Sequence, residues 1–273
     1  MHEIKTAIIP TTLSKLEWLR VTLRGLKLQE GVQIEKVYLV VDLKSWDSKT
    51  PVRDVQEILP EGLNIGVEIL RPPIKTKRSH QAVNKAIKAI NDLGNERVLV
   101  MDDDYWFRRT DDLARLLEHS RPGVFVTPQA FDEVSLEEKD HWLPEPTAEG
   151  IEIRYFTHAN PDAKRVVCDL SERGQHPMCG HPKVFFTEDF MAEKGFDVPA
   201  FQHYWWCDTD MYYRLKKRFE FVQVPIETWH MDHPRYHSQM FQKPNARRFL
   251  ERHQAIGEIA GPHLEAANNQ LME

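Results

Sequence analysis

No stretch of this sequence approaches the ~20 consecutive apolar residues that a membrane-spanning helix needs, which argues against an integral membrane protein. Cysteine is scarce. Cys168, Cys179 and Cys207 are the three present, and an odd count with no secretory leader speaks for reduced thiols, not a disulfide framework. The segment Met1 to Pro10 lacks a basic start, a long apolar stretch and a small-residue cleavage site, so a cytoplasmic, unanchored chain is expected. Internal repeats and low-complexity tracts are absent. Charge of one sign does not dominate either: the net charge of −6 gives no global attraction for a polyanion. Glycine is missing from PTTLSK, the segment after the first apolar run, where a phosphate-cradling loop would carry it.

What is present is globular. The apolar fraction is 41% against 29% charged residues, a balance that buries a core and excludes a disordered chain. A length of 273 residues suits one large domain that needs no structural metal or crosslink. Short apolar runs, Lys5 to Pro10, Lys36 to Val41, Val67 to Leu70, Arg97 to Met101 and Val124 to Thr127, read as buried strands. Helical periodicity separates them at about Leu13 to Lys27, Ser79 to Leu93, and from Asp111 through Leu117. Strands alternating with helices predict an α/β fold, a mostly parallel central sheet flanked by helices. The second half is less regular. Residues 132–180 read as an irregular subregion of loops with a strand near Ile151 to Phe156. Helices are then expected at Thr187 to Lys194 and Asp208 to Arg218, a strand at Phe221 to Pro225, and a helical tail from Ala246 to Met272.

In sheets of this kind ligands bind beyond the carboxyl ends of the strands. Three strands end there in polar residues: Thr11-Thr12, Asp42, and Asp102-Asp103-Asp104. Three consecutive carboxylates repel one another unless a cation or donors offset them. Residues two apart on an extended segment point the same way, so Asp102 and Asp104 can face one ligand. Hard oxygens of this type suit Mg²⁺ or Mn²⁺ together with substrate phosphates. The bland alternative is a solvated turn that caps the next helix. Trp205-Trp206-Cys207-Asp208 forms a second constellation, in which the aromatic faces could pack on a sugar or nucleobase or fill the core. His230-Met231-Asp232-His233 is a third, with two metal-ligand candidates past a strand end. Cys168, His176, Cys179 and His181 form a rival cluster, without the paired close spacing of common zinc sites.

Taken in order, these motifs resemble those of GT-A-fold glycosyltransferases (Rossmann-like), in the style of family 2 enzymes and of the galactosyltransferase and polypeptide GalNAc-transferase groups. AIIPTT looks like their first strand and nucleotide-facing loop, which implies donor contacts at Pro10, Thr11 and Thr12. Asp42 matches the acidic residue that contacts the base, and Arg78 with Asn84 matches an Arg…Asn pattern before the metal strand. VMDDDYWF matches the DxD motif: Asp102 would meet ribose or metal, Asp103 would border the donor, and Asp104 would ligate the cation. Gly180, Gly195, Phe196 and Asp197 match the segment leading to a Trp-rich Glu-Asp motif, where Gly180, Trp205 and Trp206 would contact substrate. This chain has Cys207-Asp208 in place of Glu-Asp; the Asp that acts as base in inverting relatives remains. Either His230 or His233 aligns with the late metal ligand.

The resemblance therefore implies a single catalytic domain over residues 1–273. Residues 1–130 would bind the nucleotide-sugar, 131–245 would supply the acceptor and catalytic half, and 246–273 the tail. It implies Mn²⁺ or Mg²⁺, a donor that is a UDP-sugar before other nucleotide-sugars, and an acceptor that is a glycan, a small molecule or a hydroxymethylated DNA base. The setting would be the cytoplasm of a bacterium or of a phage-infected host. Local basic clusters, Lys75/Lys77/Arg78, Lys216/Lys217/Arg218 and Arg247/Arg248/Arg252, keep a DNA acceptor open, although such clusters are usually solvated faces. Two other classes compete: a nucleotidyltransferase of related fold, and a non-catalytic carbohydrate- or nucleic-acid-binding module.

Overall fold

The computed structural model describes residues 2–11, 16–41, 66–70, 79–94, 96–134, 144–147, 150–153, 166–167, 178, 182–201, 206–231, 242–254 and 262–272. Four strands open the architecture: β1 (His2–Thr11), β2 (Val32–Val41), β3 (Gly66–Leu70) and β4 (Arg97–Val100). They lie side by side in the order β3-β2-β1-β4, all parallel, with Ile8 opposite both Tyr38 and Val100. Helices α1 (Leu16–Lys27) and α2 (Ser79–Leu93) belong to the same half. This is the parallel, helix-covered sheet that the alternating apolar runs predict.

Beyond β4 the sheet turns mixed. Strand β10 (Lys183–Phe186) runs antiparallel to β4 and to β6 (Val124–Val134). Strand β11 (Glu220–Met231) returns parallel to β6, and β5 (Tyr105–Phe107) pairs antiparallel with β11 at the edge. A two-residue strand, β9 (Val166–Val167), pairs with β6, and a separate hairpin joins β7 (Pro144–Thr147) to β8 (Gly150–Ile153). The second half thus departs from parallel order because β10 and β5 are inserted against the direction of their neighbours. Both are only three or four residues long, too short to carry a periodic signal.

Alternating side chains divide the core in two. On one face Ala7, Ile9, Leu39, Leu99, Met101 and Val184 meet Leu19 and Leu23 of α1 and Leu113 and Leu116 of α3 (Asp112–Glu118). On the other face Ile8, Val40, Val98, Val100 and Phe185 meet Ala82, Ala86 and Ile87 of α2. That face also takes α4 (Thr187–Met191), α5 (Cys207–Leu215), α6 (Gln242–His253) and α7 (Pro262–Met272), through Phe190, Met211, Phe249 and Ala267. The helices cover both faces of the central sheet, so the α/β class holds. The expected tail is two helices. The strand expected at Phe221 to Pro225 is also longer, running to Met231.

Candidate functional site

The carboxylate run follows β4 directly. Met101 N–H still donates to Ile8 C=O at 3.2 Å, and the chain then leaves the ladder. The β1–β4 register continued by two residues brings Pro10 level with Asp102, and the buried Thr11 closes that end of β1. Asp103 is anchored through its backbone: Thr22 of α1 donates its hydroxyl to the Asp103 carbonyl at 2.8 Å. Asp104 is buried immediately before β5. Because β5 pairs with β11, Tyr105 lies opposite His230, and the His230 Nε2 comes within 3.6 Å of Asp104 Oδ2. The ring of His230 is held by Tyr105 at 4.5 Å and Phe131 at 5.3 Å. A residue inside a strand, not one past its end, therefore meets the carboxylates.

Asp208 enters from the opposite side, on the first turn of α5. His80, on the first turn of α2, holds its Oδ1 at 2.9 Å through Nε2. Lys183, at the start of β10 and buried, donates from Nζ to the Met178 carbonyl at 3.1 Å. These groups are near enough to act on one carboxyl. Burial pushes Asp102 well above the usual carboxylate range, and the charges of Asp104, Asp208 and Asp103 push the same way, while Lys183 opposes them. A carboxyl in that position gives up its proton when a cation arrives.

The donor set matches a hard divalent cation in chemistry: carboxylate oxygens at Asp102 and Asp104, one imidazole at His230, and a local excess of negative charge to neutralise. Among the described residues, no group of three or more His, Cys, Asp or Glu side chains is already gathered in ligating geometry. The residues fit such an ion in type and charge.

Other expected site residues are placed differently. Asn84 is engaged on backbone: its Nδ2 donates to the Phe196 carbonyl at 2.8 Å and its Oδ1 accepts from Phe196 N–H at 2.9 Å. It braces the turn before α5. The Trp206 indole stacks on Phe249 at 4.7 Å and donates Nε1–H to Gln270 Oε1 at 2.7 Å, so it packs against the C-terminal helices. Its backbone is left-handed, φ 66°, an uncommon conformation for a bulky residue that this packing holds in place at the entry to α5. Cys207 is buried beneath, its thiol pushed up by burial and by Asp208 and Asp210. Thr12, Asp42, Arg78, Gly180, Trp205 and His233 lie outside the described residues, as do Cys168, His176, Cys179 and His181.

Sequence reasoning missed His80 and Lys183. Each carried a faint signal: His80 opens a helix that starts at the sheet's ligand-binding edge, and Lys183 is a lone cation heading the apolar strand KVFF.

Comparison with protein-family models finds none that matches, and no curated protein matches the chain. Solved structures similar to it include a 4-diphosphocytidyl-2C-methyl-D-erythritol synthase, 14% identical over 81% of this chain and 89% of that one, with a TM-score of 0.44. Another is described as a glucose-1-phosphate thymidylyltransferase from Bacillus anthracis, solved with sucrose. It is 13% identical over 90% of this chain and 95% of that one, also at a TM-score of 0.44. No helix among the described residues is long and apolar enough to cross a membrane.

Proposed function

We propose that this chain is a divalent-cation-assisted glycosyltransferase. It would move a sugar from a nucleotide-sugar, a UDP-sugar before others, to an acceptor hydroxyl with inversion, using Asp208 as the base. The observation that carries this reading is that the charge of Asp208 reaches Asp102. Two acidic elements about a hundred residues apart act on each other at the carboxyl edge of the sheet, where α/β folds bind ligands. Pro10 and Thr11 border the same edge and would face the donor nucleotide.

Asp102, Asp104 and His230 would hold Mn²⁺ or Mg²⁺; when bound, such an ion offsets negative charge on the leaving diphosphate. Asp208 receives the acceptor's hydroxyl proton as the acceptor oxygen forms its bond to the anomeric carbon. The bond from that carbon to the diphosphate oxygen breaks, and its electron pair leaves with the nucleoside diphosphate. General-base assistance of this kind contributes about 10² to 10⁴ in rate. Lys183, buried beside Asp102, holds part of the cluster's negative charge in balance before substrate arrives.

The test is nucleoside diphosphate release from a panel of UDP-, GDP- and dTDP-sugars with Mn²⁺, with glycans, small alcohols and hydroxymethylated DNA as acceptors. Asp208→Asn should lower turnover at least a hundredfold while donor binding stays intact; retained turnover sinks the base assignment. Pyrophosphate release from a nucleoside triphosphate would reassign the site to nucleotidyl transfer. Saccharide or DNA binding with no turnover of any donor would leave a binding module. For a DNA acceptor, affinity should fall steeply with salt.

A further inference from the structure

We propose that His80 is a positioning residue for Asp208: it orients the Asp208 carboxylate toward the acceptor hydroxyl. The inference rests on the reading of Asp208 as the base. Nε2 of His80 lies 2.9 Å from Asp208 Oδ1, a hydrogen-bond distance. With the neutral ring protonated at Nε2, His80 donates to Oδ1, and the carboxylate's second oxygen, Oδ2, takes the acceptor's proton.

Asp208 opens α5 beside Asp210, and its charge reaches Asp102 at the end of β4, as does that of Lys183 on β10. A hydrogen bond donated to one carboxylate oxygen fixes which oxygen is presented to a substrate. His80 is built to supply that donor in one geometry. Its ring meets the Phe196 ring edge-on at 4.3 Å. Four residues along the same face of α2, Asn84 clamps the Phe196 backbone at both N–H and C=O. Asn84 thus holds Phe196 in place, and Phe196 in turn packs the His80 ring. The arrangement parallels, in physical terms, the orienting of one catalytic group by another through a single hydrogen bond.

Two measurements decide the matter. In the first, ¹⁵N-labelled imidazole resonances are compared at one pH in the wild type, in Asp208→Asn, and in His80→Gln, which identifies the His80 signal by its loss. At a fixed pH the His80 Nε2 resonance should move in Asp208→Asn, because the carboxylate oxygen that it meets at 2.9 Å has lost its charge; an unchanged resonance overturns the pairing. In the second, His80→Gln should lower kcat about tenfold or more for the best donor of the panel and move the acid limb of its kcat–pH profile, with the donor KM within about twofold. A variant that loses thermal stability but keeps kcat and the pH profile would make His80 a packing residue and overturn the proposal. The two failures separate cleanly. Retained turnover in Asp208→Asn removes the base reading whatever His80 does, whereas a dead Asp208→Asn beside an unaltered His80→Gln removes this inference alone.

Discussion

Burial pushes the Asp112 carboxyl up to about 6, although the Arg109 backbone N–H at 2.8 Å and the Arg115 guanidinium at 3.2 Å both favour its charged form. An unfolded Asp titrates near 3.9, so between roughly pH 4 and 6 the folded chain holds a proton that the unfolded chain releases. Stability from this residue is therefore greatest at low pH and is lost as pH rises through that window. A gap of about two units corresponds to about 3 kcal/mol. Asp112→Asn carries no titrating proton. Urea unfolding of both proteins at pH 4, 5, 6 and 7.5 should show the variant gaining on the wild type by up to that amount as pH increases; parallel curves would reject the assignment. The same physics governs the candidate site. Asp102 is held high by burial and like charge, but there the cost is answered by a ligand, whereas Asp112 serves only to open a helix.

Asp210 behaves in the opposite sense, and it shows how elements are locked together. Burial alone would raise its carboxyl. His253 at 2.9 Å, Arg214 at 2.8 Å and Arg252 at 2.8 Å together bring it below the usual range. Arg252 also reaches Asp197 at 2.7 Å, and Arg214 donates to the carbonyls of Glu193 and Gly195. One buried anion thus ties α5, α6 and the 193–197 turn into a unit, and that unit sets where Asp208 stands. Removing the anion strips the buried His253 and the largely buried Arg214 of their carboxylate, a loss of about 3 kcal/mol. Asp210→Ala should lower the urea midpoint accordingly, and a loss under about 1 kcal/mol would show the network to be dispensable. Gly195 completes the turn: its φ is 71°, and a Cβ there would stand 2.4 Å from Asn84 Oδ1. These braces were not legible in the sequence, because a salt-bridge hub and a sugar-binding motif both read as Trp, Asp and Arg near a helix start. Strands β1 to β4 and helix α2 were legible because continuous apolar runs and helical periodicity dictate them. The end of β11 was misread for a definite reason. Pro225 cannot donate to a ladder and so looks like a strand end. The structure instead places an irregularity between Val224 and Glu227 and resumes pairing through Met231, which is what carries His230 to Asp104.

At the scale of the molecule, the two apolar faces make a rigid sheet whose edge gathers groups from β4, β11, α2 and α5. Those elements are far apart in sequence, so the cluster exists only in the folded chain. A ligand that needs it must stabilise that chain, by RT ln(1 + [L]/Kd), about 2.7 kcal/mol at a hundredfold excess over Kd. For a chain of this size that corresponds to a rise in Tm of about 5 to 10 °C. The acidic character of the cluster fixes how the effect should depend on composition. A nucleoside diphosphate brings further negative charge to a cluster already short of cations, so UDP with EDTA should give little or no rise. Mn²⁺ with UDP should give the full one, since the cation is attracted to both partners. Asp104→Ala should lose most of that joint effect while keeping the wild-type Tm within a few degrees, because Asp104 lies at the end of a strand and outside both apolar clusters. Equal stabilisation by UDP in EDTA and in Mn²⁺ would mean that the nucleotide is held away from the carboxylates, and the cation reading of Asp102 and Asp104 would have to be abandoned.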